Sequence, residues 1–231
     1  MSDPQTASAN NAIRLRGVVK QFSRGGETLR ILNGLDLDVA GGAFEALMGP
    51  SGSGKSTLLN LIAGLDRTTS GEIEVAGARI DQLSDAQITA WRASTIGIVF
   101  QSYNLLPVLT AVENVELPLL LSKFSSGERR KRAEIALQIV GLGERMNHYP
   151  KQLSGGQEQR VAIARALVND PAVIIADEPT GDLDRNSADE ILNLFEKLNR
   201  DMGKTIVMVT HDPEAASRAS VIRRLNKGVL V

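Results

Sequence analysis

Gly49-Pro50-Ser51-Gly52-Ser53-Gly54-Lys55-Ser56-Thr57 is the stretch on which the reading of this chain turns. Two glycines five positions apart, followed by Lys and Ser, have the Walker A spacing of a phosphate-binding loop. Ahead of it, Phe44 to Met48 is an apolar run; behind it, Ser56 to Ala63 has helical character until Gly64. The unit therefore reads strand, loop, helix. A triphosphate is a dense cluster of negative charge, which backbone N–H groups can approach closely only where side chains are as small as those of Gly49, Gly52 and Gly54. Lys55 is placed to bridge β and γ oxygens, and the Ser56 hydroxyl to hold Mg²⁺. A Gly-rich turn before a helix shares the glycines, but not the full spacing after an apolar strand.

Two further segments carry chemistry. Val173-Ile174-Ile175-Ala176 reads as a buried strand ending at Asp177-Glu178. Asp177 at that strand end suits the second side of a Mg²⁺ shell, and Glu178 beside it suits orienting and deprotonating a water. Alone, the pair reads better as two acids ending a strand before Pro179; the phosphate loop in the same chain reverses that preference. Leu153-Ser154-Gly155-Gly156-Gln157 opens a helix through Val161 to Val168, with Ser154 as its cap and two glycines exposing N–H groups at the positive end. An ordinary capped helix start reads the same way. Two separate anion grips in one chain raise the question of whether the second serves a neighbouring subunit's nucleotide, which spacing alone leaves open.

Around these, Ile13 to Val19, Leu35 to Val39 and Ile73 to Val75 read as β segments of an antiparallel layer near the loop. Ala111 to Gly143 turns helical, with Ser125-Ser126 as a cap and Ala133, Ala136, Leu137 and Val140 on one face. Ser187 to Arg200 reads as helix, Thr205 to Val209 as strand, and Val221 to Val231 as a closing hairpin. Strands alternating with helices imply a parallel sheet. Met1 to Asn11 has too few large apolar groups to offset ordering entropy, so a mobile polar tail is expected over residues 1–12 and a single domain over 13–231.

Bulk composition narrows the field. A chain of 231 residues with 42% hydrophobic content can bury a substantial core. Twenty-six Lys plus Arg against 27 Asp plus Glu is not the balance of a nucleic-acid binder, and Arg129-Arg130-Lys131-Arg132 reads most simply as a solvated helix face. With no cysteine, disulfides, thiolate metal sites and cysteine nucleophiles are excluded. No stretch approaches the roughly 18 apolar residues of a membrane helix, and the N-terminus has no signal-peptide core, so a soluble chain is expected.

Taken together, the loop at Gly49 to Thr57, the Leu153 to Gln157 segment and Asp177-Glu178 resemble the ATPase subunit of an ABC transporter, from about Ile13 to the C-terminus. The resemblance implies an α/β, RecA-like phosphate-loop core with a mostly parallel sheet, an antiparallel β layer and a helical insertion over about 102–160. It implies a Mg-dependent ATPase, with ATP and Mg²⁺ bound, that closes as a head-to-tail homodimer. In that arrangement Ser154, Gly155, Gly156 and Gln157 cover ATP held by the opposite subunit. Gln101, after Ile96 to Phe100, resembles the Q-loop glutamine that touches Mg²⁺ or water. His211, after Ile206 to Thr210, resembles the switch histidine at the γ-phosphate, and Asp184 the D-loop acid at the dimer seam. By themselves, Gln101 reads as a solvated loop residue and His211 as the residue before a helix begun by Asp212-Pro213-Glu214. Phe22 matches the aromatic that stacks on adenine, although a lone aromatic is more often core.

Tyr103-Asn104-Leu105-Leu106-Pro107-Val108-Leu109 is uncharged, largely apolar and set in a Pro-containing loop after Gln101. It reads either as packed within the domain or, as the resemblance implies and exposed apolar surface favours, as the site where an integral membrane transporter subunit docks. Phe100 to Pro107, Leu109 to Val115, Ala63 to Arg67 and His211 to Ala215 resemble the lipoprotein-release and macrolide-efflux branch. This implies a peripheral subunit on the cytoplasmic face of the plasma membrane, powering movement of a hydrophobic or lipid-linked cargo. Two other readings compete: an ATP-driven mechanical coupler that activates an envelope protein without transport, and a soluble repair or translation ATPase. The latter usually brings zinc cysteines, a coiled-coil insertion or two ATPase halves, none of which the sequence contains. Three positions depart from the branch: Ala43 for an acid, Glu158 for a common Gln, and Glu45 for a strand Val. A buried carboxylate is costly unless paired, so Glu45 is expected at an edge or beside a cation.

Overall fold

The computed structural model describes residues 11–24 and 27–231. In chain order the strands are β1 (Asn11–Arg24), β2 (Glu27–Ala40), β3 (Phe44–Met48), β4 (Ser70–Val75), β5 (Ala78–Arg79), β6 (Ile96–Val99), β7 (Val173–Asp177), β8 (Thr205–Val209), β9 (Val221–Asn226) and β10 (Val229–Leu230). The helices are α1 (Lys55–Ile62), α2 (Asp85–Thr95), α3 (Ala111–Glu116), α4 (Ser126–Ile139), α5 (Gly155–Leu167), α6 (Arg185–Met202) and α7 (Pro213–Ser217).

Two sheets form. One runs β10-β9-β3-β8-β7-β6, with β9, β3, β8, β7 and β6 parallel and β10 folded back antiparallel. Its inner strands are nearly continuous apolar runs because both faces are covered. Successive side chains point to opposite faces, and this splits the core in two. Phe44, Ala46, Ile174, Ala176, Ile206 and Met208 pack with α3 to α7, whereas Leu47, Val173, Ile175, Val207 and Val209 pack with α1 and the second sheet. That second sheet, β2-β1-β4-β5, is antiparallel throughout. Its strands run longer than the apolar segments alone suggest, because exposed polar residues continue the ladder beyond the buried ones.

The expected tail over residues 1–12 falls, for residues 1–10, outside the described residues. Asn11 and Ala12 are strand: Asn11 pairs opposite Ala40 and its amide reaches Asp38 at 3.0 Å. The helical stretch from Ala111 is interrupted rather than continuous. Leu117–Leu121, with Pro118 near its start, is a 3-10 turn, and Ser125 then caps a new helix through a reciprocal bond pair with Glu128. Ala133, Ala136, Leu137 and Val140 are all buried, as their shared face requires.

Glu45 lies on an inner strand, 5% exposed, and is paired. Arg223 on β9 donates Nε to Oε2 at 2.6 Å and Nη2 to Oε1 at 3.2 Å. Removing one member of a buried pair strands the other charge. We therefore expect Arg223→Met to destabilise the chain by about 3 kcal/mol, measured by urea unfolding, with much of that cost recovered in Glu45→Val/Arg223→Met.

Candidate nucleotide-binding site

Three neighbouring parallel strands, β3, β8 and β7, end level with one another: Leu47 lies opposite Val209, and Val209 opposite Asp177. The segments that follow them, beginning at Gly49, Thr210 and Glu178, therefore emerge side by side at the carboxyl edge of the sheet, where open α/β sheets bind ligands. A cleft of 360 Å³ opens there, lined by Ile31, Gly49, Ser51, Gly52, Gly54, Lys55, Ser56, Thr57, Glu178 and His211.

The loop needs its glycines. Gly52 and Gly54 have φ of +77° and +104°, and a Cβ at Gly49 would stand 2.1 Å from the Leu225 carbonyl oxygen. Gly54 leads directly into α1, whose amino end faces the cleft. Lys55 is 9% exposed, and its Nζ donates to the carbonyls of Gly49 at 2.8 Å and Pro50 at 3.0 Å. Among the described residues it forms no salt bridge, although Asp177 lies near enough to feel its charge, so that charge is available to an anion. Pro50 borders an adjoining hollow with Met48, Arg224 and Asn226, and Ser53 turns inward at 3% exposure.

Glu178 adopts φ +48°, a conformation uncommon for a non-glycine residue. Its N–H donates to the Val209 carbonyl at 2.9 Å, which keeps it on the sheet edge while the side chain faces the cleft. His211 Nδ1 lies 2.7 Å from Glu178 Oε2. Asp177 sits deeper, beside the Ser56 hydroxyl. Burial pushes its carboxyl above the usual carboxylate range and the Glu178 charge adds to this, while the Ser56 hydroxyl and Lys55 pull it back.

That raised value has a pH consequence. A carboxyl held above its unfolded pKa binds more protons folded than unfolded, so its contribution to stability is present at low pH and is lost as pH rises through the folded value. For the ligand-free chain we expect Asp177→Asn to melt higher than the parent at pH 8, with the difference shrinking towards pH 4; thermal melts across that range test the sign.

The other residues singled out in the sequence lie outside this cleft. Gln101 Nε2 donates to Asp182 Oδ1 at 2.8 Å, which holds it against the turn after Glu178. Phe22 is not among the lining residues; it is 45% exposed, with the Lys20 ammonium 4.6 Å from its ring. Ile31, which does line the cleft, carried no signal beyond being an apolar strand residue. Ser154 caps α5 by accepting from the Gln157 N–H, and the Gln157 side chain returns a bond to the Ser154 N–H. A Cβ at Gly155 would stand 2.9 Å from the Tyr103 hydroxyl, and one at Gly156 would stand 3.0 Å from Ser187 Oγ, so both glycines answer to packing within the chain. Asp184 caps α6, accepting from the Ser187 N–H and hydroxyl, and this holds its carboxyl below the usual range.

The loop after Gln101 is fixed from outside by two residues that sequence reasoning missed. Asn114, fully buried, accepts from the Leu106 N–H and donates to the carbonyls of Leu106, Leu109 and Thr110. Arg165 donates to the carbonyls of Tyr103 and Asn104. Arg165 reaches across 61 and 62 positions and Asn114 only four to eight, but in both cases the targets are backbone atoms that any residue carries, so no motif marks them. Held this way, the loop leaves Leu106 and Val108 46% and 78% exposed. In the basic run, Arg129 donates to the Phe124 carbonyl, Arg130 pairs with Glu116 and Arg132 stacks on Phe124.

A phosphate loop, a half-buried acid at the end of the next strand but one and a second glycine-opened helix on a mixed, mostly parallel sheet define an ATP-binding cassette. Residues 32–181 match the ABC transporter family model, and the chain belongs to that family. It is 49% identical over 219 residues to the macrolide export ATP-binding/permease protein MacB 1/2 of Paracoccus denitrificans, covering 95% of this chain but 33% of that protein. The chain thus spans about a third of that relative. It is also 49% identical to the ABC transporter ATP-binding protein YknY of Bacillus subtilis, covering 95% of each. Among solved structures, the dimeric post-hydrolysis state of the cassette MJ0796 of Methanocaldococcus jannaschii, bound to ADP and Pi, superposes with a TM-score of 0.86. That chain is 46% identical, with 94% of this chain and 96% of that one covered. Among the described residues no helix is long and apolar enough to cross a membrane.

Proposed function

We propose that this chain is the Mg-dependent ATP-hydrolysing subunit of a transporter whose membrane-spanning partner moves a hydrophobic or lipid-linked cargo. The observation that carries the reading is the convergence, in one cleft, of the Gly49 to Thr57 loop with Glu178 and His211. In this reading the loop amides and Lys55 grip the phosphates. Ser56 and Asp177, neighbouring hard oxygen donors, fit a Mg²⁺ ion, with Gln101 joining once released from Asp182. Bound Mg²⁺ would neutralise charge on the β and γ oxygens. Glu178 orients the attacking water and takes its proton, and His211, already hydrogen-bonded to Glu178, steadies that carboxylate and reaches the γ-phosphate.

Ser154, Gly155, Gly156 and Gln157 do not line this cleft. Serving a nucleotide on a second copy gives them a role, and the dimeric cassette structure supports that arrangement. Phe22 is assigned to the adenine by family resemblance alone. The exposed Leu106 and Val108 offer a docking surface, so the chain works peripherally on the cytoplasmic face beside its membrane partner. The resemblance to MacB supports efflux or lipoprotein release as the type of transport. The deciding experiment co-purifies the membrane partner, reconstitutes the pair in vesicles and measures ATP-dependent movement across a panel of lipopeptides and hydrophobic drugs. Cargo-stimulated hydrolysis with movement is expected; hydrolysis coupled to no cargo would overturn the transport assignment.

A further inference from the structure

Gln159 is fully buried on α5, one turn beyond the Ser154 to Gln157 start, and reaches away from its own helix. Its Nε2 donates to the carbonyl of Pro179 at 2.6 Å and contacts that of Phe100 at 3.3 Å. Pro179 is the residue after Glu178, and Phe100 the residue before Gln101. One amide thus joins the helix behind the second anion grip to the backbone on either side of the main site. Its orientation is set by the acceptors: turning the amide over would aim its oxygen at two carbonyl oxygens. Gln159 Oε1 has no hydrogen-bond partner among the described residues, an unmet acceptor that a purely structural side chain has no reason to keep. A Leu or Met of similar volume would fill the same space without that cost.

We propose that Gln159 is a positioning residue that transmits displacement of α5 to Glu178 and Gln101 together. Resting on the ATPase reading above, it acts through those residues and touches neither nucleotide nor water. When α5 shifts as its amino end meets a nucleotide on a second copy, the carbonyls of Phe100 and Pro179 are drawn with it. Glu178 and Gln101 then reach working positions in the same step. Loss of the clamp should therefore slow turnover without weakening nucleotide capture, which belongs to the Gly49 to Thr57 loop.

The test uses the full chain with Gln159→Met, and Gln159→Leu as a second variant should Met fold poorly. Both keep volume and remove the donor. For a folded variant we expect kcat to fall about tenfold, the worth of a strong hydrogen bond, with KM for ATP within about twofold of the parent. Amide hydrogen exchange should quicken selectively over residues 101–106 and 180–184, leaving the rest of the chain as it was. Unchanged kcat, a loss appearing in KM instead, or unaltered exchange in those two segments would overturn the proposal. Failure of the parent chain to hydrolyse ATP at all would instead count against the ATPase reading, and the exchange pattern would still decide whether the clamp exists.

Discussion

Glu178→Gln is expected to lower ATP turnover by about 10²–10⁴-fold, the range for loss of a positioned general base. ATP affinity should stay close to that of the parent. The substitution is nearly isosteric, and the amide oxygen can accept from His211 Nδ1 as the carboxylate oxygen does, so the cleft keeps its shape. What disappears is the group able to receive a proton. With binding intact and hydrolysis stalled, the ATP-bound closed dimer should accumulate. Phosphate release measured at saturating ATP, with light scattering before and after ATP is added, tests both halves. Hydrolysis at the parental rate would remove Glu178 from the mechanism. A variant that stays monomeric at saturating ATP would remove the shared-site dimer.

Lys55→Ala is expected to fail at the opposite step. The Lys55 ammonium is nearly buried and is held by two backbone carbonyls. Those neutral acceptors do not cancel its charge, which stays poised for phosphate oxygens. Charge-assisted bonds of this kind are worth about 1.5–3 kcal/mol, or roughly 10–150-fold in affinity. Calorimetric titration with ATP should show that loss for Lys55→Ala but not for Glu178→Gln. Equal affinities in the two variants would mean that the loop holds phosphate through its amides alone. The contrast separates gripping from chemistry at two residues that line one cleft.

Much of the local structure was legible beforehand. The loop, the apolar strands Phe44–Met48, Val173–Asp177 and Thr205–Val209, and the caps at Ser125, Ser154 and Asp212 follow from short-range chemistry: small residues where backbone must be exposed, side-chain oxygens where a helix leaves N–H groups unpaired, and apolar runs where a strand is covered twice. The requirement that Glu45 be compensated was legible too, since charge in an apolar run is costly wherever the run lies. Its partner was not: Arg223 lies 178 positions away and meets Glu45 only because β9 pairs with β3. Arg165 was missed for the same reason, its acceptors lying 61 and 62 positions away, and Asn114 because its acceptors, though only four to eight positions off, are carbonyl oxygens that every residue possesses.

By itself, the order of residues determined where the glycine-rich loop, the capped helix starts and the strand-end acids fall, and that the chain builds an α/β core, because each of these is written in contacts a few positions long. It did not determine that the Gly49 loop, Glu178 and His211 share one cleft, or that Gln101 rests on Asp182 outside it. Those facts came from the strand order β3-β8-β7-β6, whose adjacent carboxyl ends bring Glu178 to His211 across 33 positions and Gln101 to Asp182 across 81. Propensity and spacing act along the backbone, whereas neighbour relations in a parallel sheet are chosen by packing both of its faces at once, and only the assembled core makes that choice.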